Sequence, residues 1–256
     1  MNAYMNLDVI LTPAEFPGLA KRDLRKTVCV VFDVLRATSA FVTALHNGAA
    51  AIIPVSEISE ALEIKKKRPA ILTAGERHGV KIRVKECEFD FGNSPREFTS
   101  EKVKERTLVS TTTNGTRALR ACAGAKTIFA AAFLNLAATA KWVRKKNPEN
   151  VLLICAGTGE NAALEDILAA GALCEALLLG KRTPSLSDSS RVALATFTQA
   201  KGNLAEAIYK SENARHLLSM PELRPDVEFC LSRDVFHLVA GMKGNKMVKI
   251  NSAGSC

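Results

Sequence analysis

The sequence predicts an α/β protein of layered α/β/α type, in which helices cover both faces of a mostly parallel central sheet. Short apolar runs alternate along the chain with segments whose apolar residues recur at helical spacing. The runs are nearly continuous in apolar character, which is typical of strands buried on both faces. Aromatic residues make up only 5% of the chain, so the core must consist largely of Ala, Val, Leu and Ile.

The pattern predicts the order of the elements. Predicted strands occupy residues 28–34, 51–55, 70–73, 107–111, 126–130 and 151–155. The predicted helices are 38–47, 56–67, 116–123, 136–146 and 164–179. Near the C-terminus we expect a loop at 220–225 and a final edge strand at 247–250. Neither an internal repeat nor a low-complexity linker interrupts the chain, which predicts one domain over residues 1–256.

Composition and charge narrow the class of ligand. The net charge of +9 raises the local concentration of anions. The basic run 65–68 lacks interleaved aromatic residues, which favours a solvated helix end over a nucleic-acid site.

The seven cysteines form no C-x-x-C pair, and we interpret them as free thiols in a reducing compartment. The sequence shows neither the pattern of a signal peptide nor an apolar run long enough to span a bilayer. We therefore predict a cytoplasmic protein with no membrane partner.

Polar residues concentrate where the predicted strands end, and ligands of open α/β sheets bind at that edge. Asp33 and Arg36 follow the strand at 28–34. A carboxylate in this place suits a hard cation, and an arginine suits an oxyanion. A loop ion pair between the two side chains is the alternative interpretation.

Two further segments, 74–81 and 91–96, mix glycine with polar and charged residues. Glycine lets backbone approach a ligand closely, and a Ser-Pro pair is typical of a helix start. Ordinary turns would have the same composition. The candidate ligand-binding residues here are Glu76, Arg77, Asn93, Ser94 and Arg96.

The segment 110–117 directly follows a predicted strand and is dense in hydroxyl groups. Hydroxyls at a helix start can donate to phosphate oxygens, although a capping turn would look similar. The lysine and glycine spacing of a Walker loop is absent. The candidates for anion binding are Thr112, Thr113, Asn114, Gly115, Thr116 and Arg117.

Glycines at 157 and 159 precede the adjacent carboxylates Glu165 and Asp166. Neighbouring residues on a helix point in different directions, so we expect only one of these two carboxylates to face a site. A solvated helix start near the favourable dipole end is the alternative for the pair.

Taken in order, these segments resemble the 2-phosphosulfolactate phosphatase family of coenzyme M biosynthesis. The motifs are Asp-Val-Leu-Arg-Ala-Thr at 33–38, Asn-Gly-Ala at 47–49, Gly-Glu-Arg at 75–77, Gly-Asn-Ser-Pro at 92–95, Thr-Thr-Asn-Gly-Thr at 112–116 and Leu-Glu-Asp at 164–166. The resemblance covers about residues 8–234. It implies an α/β/α fold and a Mg²⁺-dependent enzyme that converts 2-phospho-3-sulfolactate to 3-sulfolactate and phosphate.

Our hypothesis assigns roles to these residues on that basis. Asp33, Glu76 and one of Glu165 and Asp166 would hold Mg²⁺. The substrate is a small phosphorylated anion, and the predicted catalytic residues are Asp33, Arg36, Glu76 and Arg117. Predicted substrate-binding residues are Arg77, Asn93, Ser94, Arg96, Thr112, Thr113, Asn114, Gly115 and Thr116. The nucleophile is either water or a carboxylate.

Two other functions fit part of the sequence. Arg77-His78-Gly79 matches the triplet of histidine phosphatases, in which His78 would carry the phosphoryl group without a metal. A non-catalytic binder of phosphorylated metabolites would keep the arginines and hydroxyls. We interpret His46, His216 and His237 as packing or surface residues, and we expect no nucleic-acid partner. A homo-oligomer is compatible with the sequence, which leaves the oligomeric state open.

Overall fold

The computed structural model describes residues 5–84, 87–180 and 183–250. Its strands are β1 (Asn6–Ile10), β2 (Thr27–Phe32), β3 (Ala51–Pro54), β4 (Leu72–Arg77), β5 (Val80–Lys81), β6 (Arg83–Val84), β7 (Cys87–Glu88), β8 (Thr107–Thr111), β9 (Thr127–Ala131), β10 (Asn150–Cys155), β11 (Ser185–Leu186), β12 (Val239–Lys243) and β13 (Lys246–Ile250). Its helices are α1 (Phe16–Leu19), α2 (Ala37–His46), α3 (Ile58–Lys67), α4 (Ser100–Val103), α5 (Gly115–Ala121), α6 (Leu136–Lys146), α7 (Leu164–Leu178), α8 (Asp188–Ala200), α9 (Leu204–Tyr209), α10 (Glu212–Ser219) and α11 (Arg224–Leu231).

One large sheet has the strand order β11-β1-β10-β2-β9-β12-β13-β3-β8-β4-β5. The strands from β11 to β9 pair in parallel, and β3, β8 and β4 form a second parallel group. The hairpin β12–β13 lies between the groups and pairs antiparallel with both. Three successive antiparallel pairings therefore make the two parallel groups run in opposite directions.

Side chains of successive residues in β2 pack into different cores. Val30 and Phe32 belong to one apolar cluster with residues of α6, α7, α8 and α11. Cys29 and Val31 belong to another cluster with residues of α1, α2 and α5. Because alternate side chains of a strand point to opposite faces, the two clusters lie on opposite faces of the sheet. This confirms the predicted α/β fold with a mostly parallel sheet covered by helices.

Most predicted elements match observed ones within a few residues, but the C-terminal region differs. The segment predicted as a final edge strand is β13, which lies inside the sheet between β12 and β3. Because it pairs with β12 on one side and with β3 on the other, this strand bridges the two parallel groups. Met247 in this strand is fully buried. The strand predicted at 70–73 is β4, which continues to Arg77 and turns into β5. The predicted loop at 220–225 overlaps the start of α11.

The five cysteines at 29, 122, 155, 174 and 230 are buried free thiols, as predicted. Cys256 and the side chain of Cys87 lie outside the described part of the chain. Within the described ranges, no helix has the length and apolar character needed to cross a membrane. The single domain and the compartment stay predictions, and the oligomeric state stays open.

Candidate active site

A cavity of about 430 Å³ lies where the loops after β2, β4, β8 and β10 meet. The helix α5 leaves the end of β8 and packs against β2, so it joins the two parallel groups at this point. Residues of α10 complete the lining. The polar and charged lining residues are Asp33, Arg36, Glu76, His78, Asn93, Thr113, Asn114, Thr158, Asn213 and His216.

Asp33 is the first polar residue after β2, and its side chain helps to start α2. Its Oδ1 atom accepts a hydrogen bond from the backbone N–H of Ala37 at 3.1 Å. Thr38, in the first turn of α2, accepts from the Asp33 N–H through Oγ1 at 3.0 Å. The second carboxylate oxygen, Oδ2, faces Gly115, where an added Cβ would lie 2.7 Å away. Asp33 is therefore held by its own loop.

Glu76 is buried at the end of β4 and connects two loops of the cavity. Its Oε1 atom accepts from the N–H and the hydroxyl of Thr113 at 2.8 and 3.0 Å. Its Oε2 atom accepts from the N–H of Gly79 at 2.8 Å. Both oxygens are thereby fixed in direction while the residue still lines the cavity.

Arg36 extends from the loop after β2 into a buried ion pair. Its Nη1 atom donates to Oδ2 of Asp226 at 2.8 Å, and its Nη2 atom donates to the carbonyl of Gly79 at 2.6 Å. No sequence pattern marks Asp226, because an acidic residue in the first turn of a helix is an ordinary feature of helix starts. Its function becomes visible only from the packing of α11.

Glu165 and Asp166 at the start of α7 are both buried, and their surroundings differ. Asp166 accepts from the N–H groups of Val34 at 2.8 Å and Gly157 at 3.0 Å. Glu165 accepts from Nδ2 of Asn213 at 3.1 Å. Its other oxygen, Oε2, is buried and has no hydrogen-bond partner within the described part of the chain. Asp166 thus ties two loops together, whereas Glu165 keeps an uncompensated oxygen.

The carboxylates influence one another electrostatically. Loss of water contact, with the nearby negative charges of Glu76 and Glu165, raises the pKa of Asp33 to about 7. Burial and the charges of Asp33 and Glu165 also raise the pKa of Asp166 well above its ordinary value. A bound cation would relieve this repulsion, so the pattern fits a site for positive charge.

The donor set fits Mg²⁺ in one specific way. Among the described residues, no three His, Cys, Asp or Glu side chains are grouped closely enough to form a metal site by themselves. Mg²⁺ usually binds one or two carboxylates and completes its shell with waters and substrate phosphate oxygens. Asp33 and Glu76 line one cavity and offer such hard oxygen ligands, and the unpartnered oxygen of Glu165 adds negative charge nearby.

Comparison with known proteins identifies the family. The family model described as 2-phosphosulpholactate phosphatase matches residues 12–245. A protein of Caldanaerobacter subterraneus named "Probable 2-phosphosulfolactate phosphatase" is 41% identical over 89% of this chain and 92% of its own. Proteins with the same name from Thermotoga petrophila and Thermotoga maritima are 40% and 39% identical, over 91% and 92% of this chain and 93% and 95% of their own. The chain belongs to the 2-phosphosulfolactate phosphatase family.

This finding confirms the family that the order of the motifs predicts. The predicted enzyme class, a phosphoric monoester hydrolase, agrees with the name that these relatives carry. Four of the six motifs that carry the resemblance contribute to the cavity lining, through Asp33, Glu76, Asn93, Thr113 and Asn114 among others. The motifs at 47–49 and 164–166 contribute no lining residue, so neither Glu165 nor Asp166 lines the cavity. Residues far apart in the family motifs therefore meet in one place.

Three of the four arginines predicted to bind the substrate do not line this cavity. The guanidinium group of Arg77 donates to the carbonyls of Ser56 and Thr111, so it holds the backbone of β4 and β8. Arg117 forms an exposed ion pair with Glu160, and its guanidinium lies over the ring of Phe16. Both guanidinium groups therefore contact other parts of the protein instead of the predicted substrate.

Arg96 is half-exposed, with Nη1 3.6 Å from Oδ1 of Asp226. Ser94 donates through its hydroxyl to the same oxygen at 2.7 Å. Neither residue lines the cavity, whereas their neighbour Asn93 does. The segment predicted to bind substrate therefore contributes one lining residue, and its other polar groups anchor it to α11.

The hydroxyl groups predicted to bind phosphate mostly build the loop itself. Oγ1 of Thr112 accepts from the N–H of Thr116 at 3.2 Å, and the Thr116 hydroxyl donates to the Thr112 carbonyl at 2.9 Å. The Asn114 amide donates to the carbonyls of Ala156 and Gly159 at 2.8 and 3.0 Å. Thr113 and Asn114 remain in the cavity wall, so the ligand-facing part of this loop is smaller than predicted.

Two histidines line the cavity. His78 lies in the tight turn between β4 and β5 with a positive φ of 53°, followed by Gly79 with φ 79°. Such a turn requires left-handed backbone at both positions, so His78 is a turn residue in this fold. His216 of α10 is exposed, as its interpretation as a packing or surface residue expects, and it also lines the cavity. Helical spacing cannot show that the exposed face of α10 borders a site.

Proposed function

We propose that this chain is a Mg²⁺-dependent phosphatase that hydrolyses 2-phosphosulfolactate, or a similar phosphorylated hydroxy acid, as a step of coenzyme M biosynthesis. One observation carries the proposal: Asp33, Glu76 and Arg36 all line one cavity. This combination suits a cation and a polyanionic substrate bound together. The names of the relatives support the choice of substrate.

Asp33 and Glu76 would hold Mg²⁺, with the buried charge of Glu165 nearby. When bound, Mg²⁺ supplies Lewis acidity that neutralises charge on phosphate oxygens and on the leaving oxygen. Asp166 would act indirectly, because both of its oxygens accept from backbone N–H groups beside the cavity. Of the two carboxylates predicted as alternatives, we therefore propose Glu165 as the one that contributes charge to the metal site.

The other lining residues orient the substrate. Arg36 keeps N–H groups beyond the two that bind Asp226 and Gly79, and these can donate to an acidic group of the substrate. Thr113 and Asn114, which directly precede α5, also line the cavity and can contact the phosphoryl group. Attack comes from water or from the Asp33 carboxylate, whose loop holds it in place.

The two alternative functions have less support. A histidine phosphatase would use Arg77 beside His78 to bind phosphate, but the Arg77 guanidinium donates to Ser56 and Thr111. A non-catalytic phosphate binder does not need carboxylates beside its ligand, because they repel it. We therefore place both below the metal-dependent phosphatase.

Phosphate release from 2-phosphosulfolactate, with Mg²⁺ and with EDTA, tests the proposal. We expect turnover with Mg²⁺ and loss of activity with EDTA, restored by excess Mg²⁺. A panel of other phosphorylated hydroxy acids defines the substrate range. EDTA-resistant turnover would favour the histidine mechanism, and binding without release from any phosphoester would favour the non-catalytic binder.

The substitution Asp33→Asn tests the central carboxylate. We expect kcat to fall by about 100-fold or more, because a group that stabilises the transition state or attacks it is lost. Asp188→Asn, at an exposed helix start, is the matched control and should retain normal kinetics. Near-normal turnover by the Asp33 variant would remove this residue from the active site.

A further inference from the structure

Asp226 is completely buried, yet it joins three separate segments of the chain. Arg36 donates to one of its oxygens at 2.8 Å, and Ser94 donates to the other at 2.7 Å. Arg96 lies 3.6 Å from that second oxygen. A buried carboxylate is tolerated only when it is paired and hydrogen-bonded in this way. The side chain of Arg36 is itself 2% exposed, so each charge is the other's main compensation.

Two of the segments that Asp226 holds contribute directly to the cavity. Arg36 and Asn93 line it, and Asn93 is the neighbour of Ser94. Arg36 is fixed at a second point by its hydrogen bond to the Gly79 carbonyl at 2.6 Å. Two contacts through different nitrogens restrain the plane of the guanidinium group. Asp226 does not line the cavity, so any effect it has on a ligand acts through these neighbours.

The chemistry of the proposed substrate gives this arrangement a purpose. Besides the phosphate, 2-phosphosulfolactate carries a carboxylate and a sulfonate. Asp33 and Glu76 would repel these groups, whereas a guanidinium and an amide can donate hydrogen bonds to them. The lining residues therefore divide into an acidic set and a donor set, and the donor set depends on Asp226.

We propose that Asp226 is a positioning residue. It holds Arg36 directly, and Asn93 through Ser94, in the orientation that binds an acidic group of the substrate other than the phosphate, namely its carboxylate or its sulfonate. The inference rests on the proposed function and refines its specificity. Asp226 would thereby favour phosphoesters with a second acidic group over simple phosphoesters.

The variant Asp226→Asn tests this proposal, because it keeps the shape and removes the charge that orients Arg36. We expect KM for 2-phosphosulfolactate to rise about tenfold or more while kcat falls less than about threefold. The kcat/KM for p-nitrophenyl phosphate, which has no second acidic group, should stay within about twofold. A purely structural role would instead lower the activity toward both substrates alike.

Calorimetric titration with 3-sulfolactate gives a readout that does not need turnover. We expect its Kd to rise about tenfold in Asp226→Asn and to be unchanged in Glu228→Gln, an exposed control on the same helix. Unchanged KM and Kd in the Asp226 variant would overturn the positioning role while the proposed function stands. A wild-type protein that binds 3-sulfolactate but releases no phosphate, with weaker binding in the variant, would overturn only the function. A wild-type protein that neither binds nor turns over would overturn both.

If Asp226→Asn does not fold, Ser94→Ala provides the decisive variant. It removes one hydrogen bond to Asp226 and leaves the pair with Arg36 intact. We expect KM for 2-phosphosulfolactate to rise about threefold with kcat little changed, because Asn93 loses its anchor. Wild-type KM in a folded Ser94→Ala protein would then overturn the proposal.

Discussion

Gly115 shows how a single missing side chain makes room for the proposed active site. A Cβ atom at this position would lie 2.6 Å from Cβ of Ala37 and 2.7 Å from Oδ2 of Asp33. Both distances are too short for real contacts, so the start of α5 approaches the Asp33 loop only because residue 115 is glycine. The glycine in the Thr-Thr-Asn-Gly-Thr motif therefore has a steric function.

We predict that Gly115→Ala displaces the Asp33 carboxylate. Because a displacement of about 1 Å can cost about 100-fold in rate, kcat/KM should fall by about that factor. Overpacking should also lower the free energy of unfolding by about 1–3 kcal/mol. Steady-state kinetics and chemical denaturation measure the two effects. Gly18→Ala, where no atom lies within 4 Å of the added Cβ, is the control and should change neither by much. Equal behaviour of the two variants would contradict the steric function.

The arginines supply a second prediction at this scale. Arg117 was predicted as catalytic, but it forms an exposed ion pair with Glu160. Exposed pairs of this kind usually stabilise a protein very little. We therefore expect Arg117→Ala to retain activity within about threefold. Arg36→Ala should lose far more activity, because Asp226 is then left buried without its ion-pair partner. Phosphate-release assays of both variants under the same conditions test this prediction. A large loss of activity in Arg117→Ala would support the catalytic role that the sequence predicts for Arg117.

At the scale of elements, the start of α7 connects two loops of the cavity. Asp166 accepts from Val34, after β2, and from Gly157, after β10. Both loops follow neighbouring parallel strands, and one carboxylate satisfies a buried N–H group in each. The helix thus contributes to the site by fixing backbone, and its first turn is the part that does so.

We predict that Asp166→Ala destabilises the protein by about 2–4 kcal/mol, because two backbone donors lose their acceptor. Activity should fall as well, since the Val34 N–H lies next to Asp33. Thermal and denaturant unfolding measure the first effect and phosphate release the second. Asp188→Ala is the matched control, an exposed acidic residue in the first turn of α8, and it should cost at most about 1 kcal/mol. A loss no larger than that of the control would show that α7 does not fix these loops.

For the whole molecule, sequence patterns located the strand ends but not the long-range partners. Asp33, Glu76, Thr113 and Asn114 meet in one cavity as expected, since local composition shows where strands end. The fate of each arginine depended instead on distant residues: Arg36 is paired across 190 positions and Arg117 across 43. No local pattern carries that information. The same holds for Asn213 and His216, which α10 brings to the cavity only through tertiary packing.

The order of the sheet was likewise beyond local patterns. The apolar residues of β13 predicted a strand, but an edge strand and a bridging strand have the same local composition. Its central position follows from Met247, buried between the two parallel groups, and from Gly241, where a Cβ would lie 2.7 Å from the Ile250 side chain. The close approach of β12 to β13 requires that glycine, and only the folded chain reveals the neighbour.

The acidic cluster gives a prediction for the whole molecule, because a ligand that binds only the folded state stabilises it. Mg²⁺ at about 100 times its Kd should add about 2.7 kcal/mol to the free energy of unfolding, which raises Tm by about 5–10 °C in a chain of this size. Asp33→Asn should remove most of this Mg²⁺-dependent shift. The variant also relieves repulsion with Glu76 and Glu165, so the comparison must use the shift in Tm caused by Mg²⁺ and not Tm itself.

Thermal unfolding in MgCl₂, compared with thermal unfolding in KCl of equal ionic strength, measures the Mg²⁺-dependent shift in Tm. Glu160→Gln removes an exposed carboxylate and should keep the wild-type shift. The same shift in the Asp33 variant would place the cation elsewhere, because a ligand stabilises a protein only through the groups that bind it.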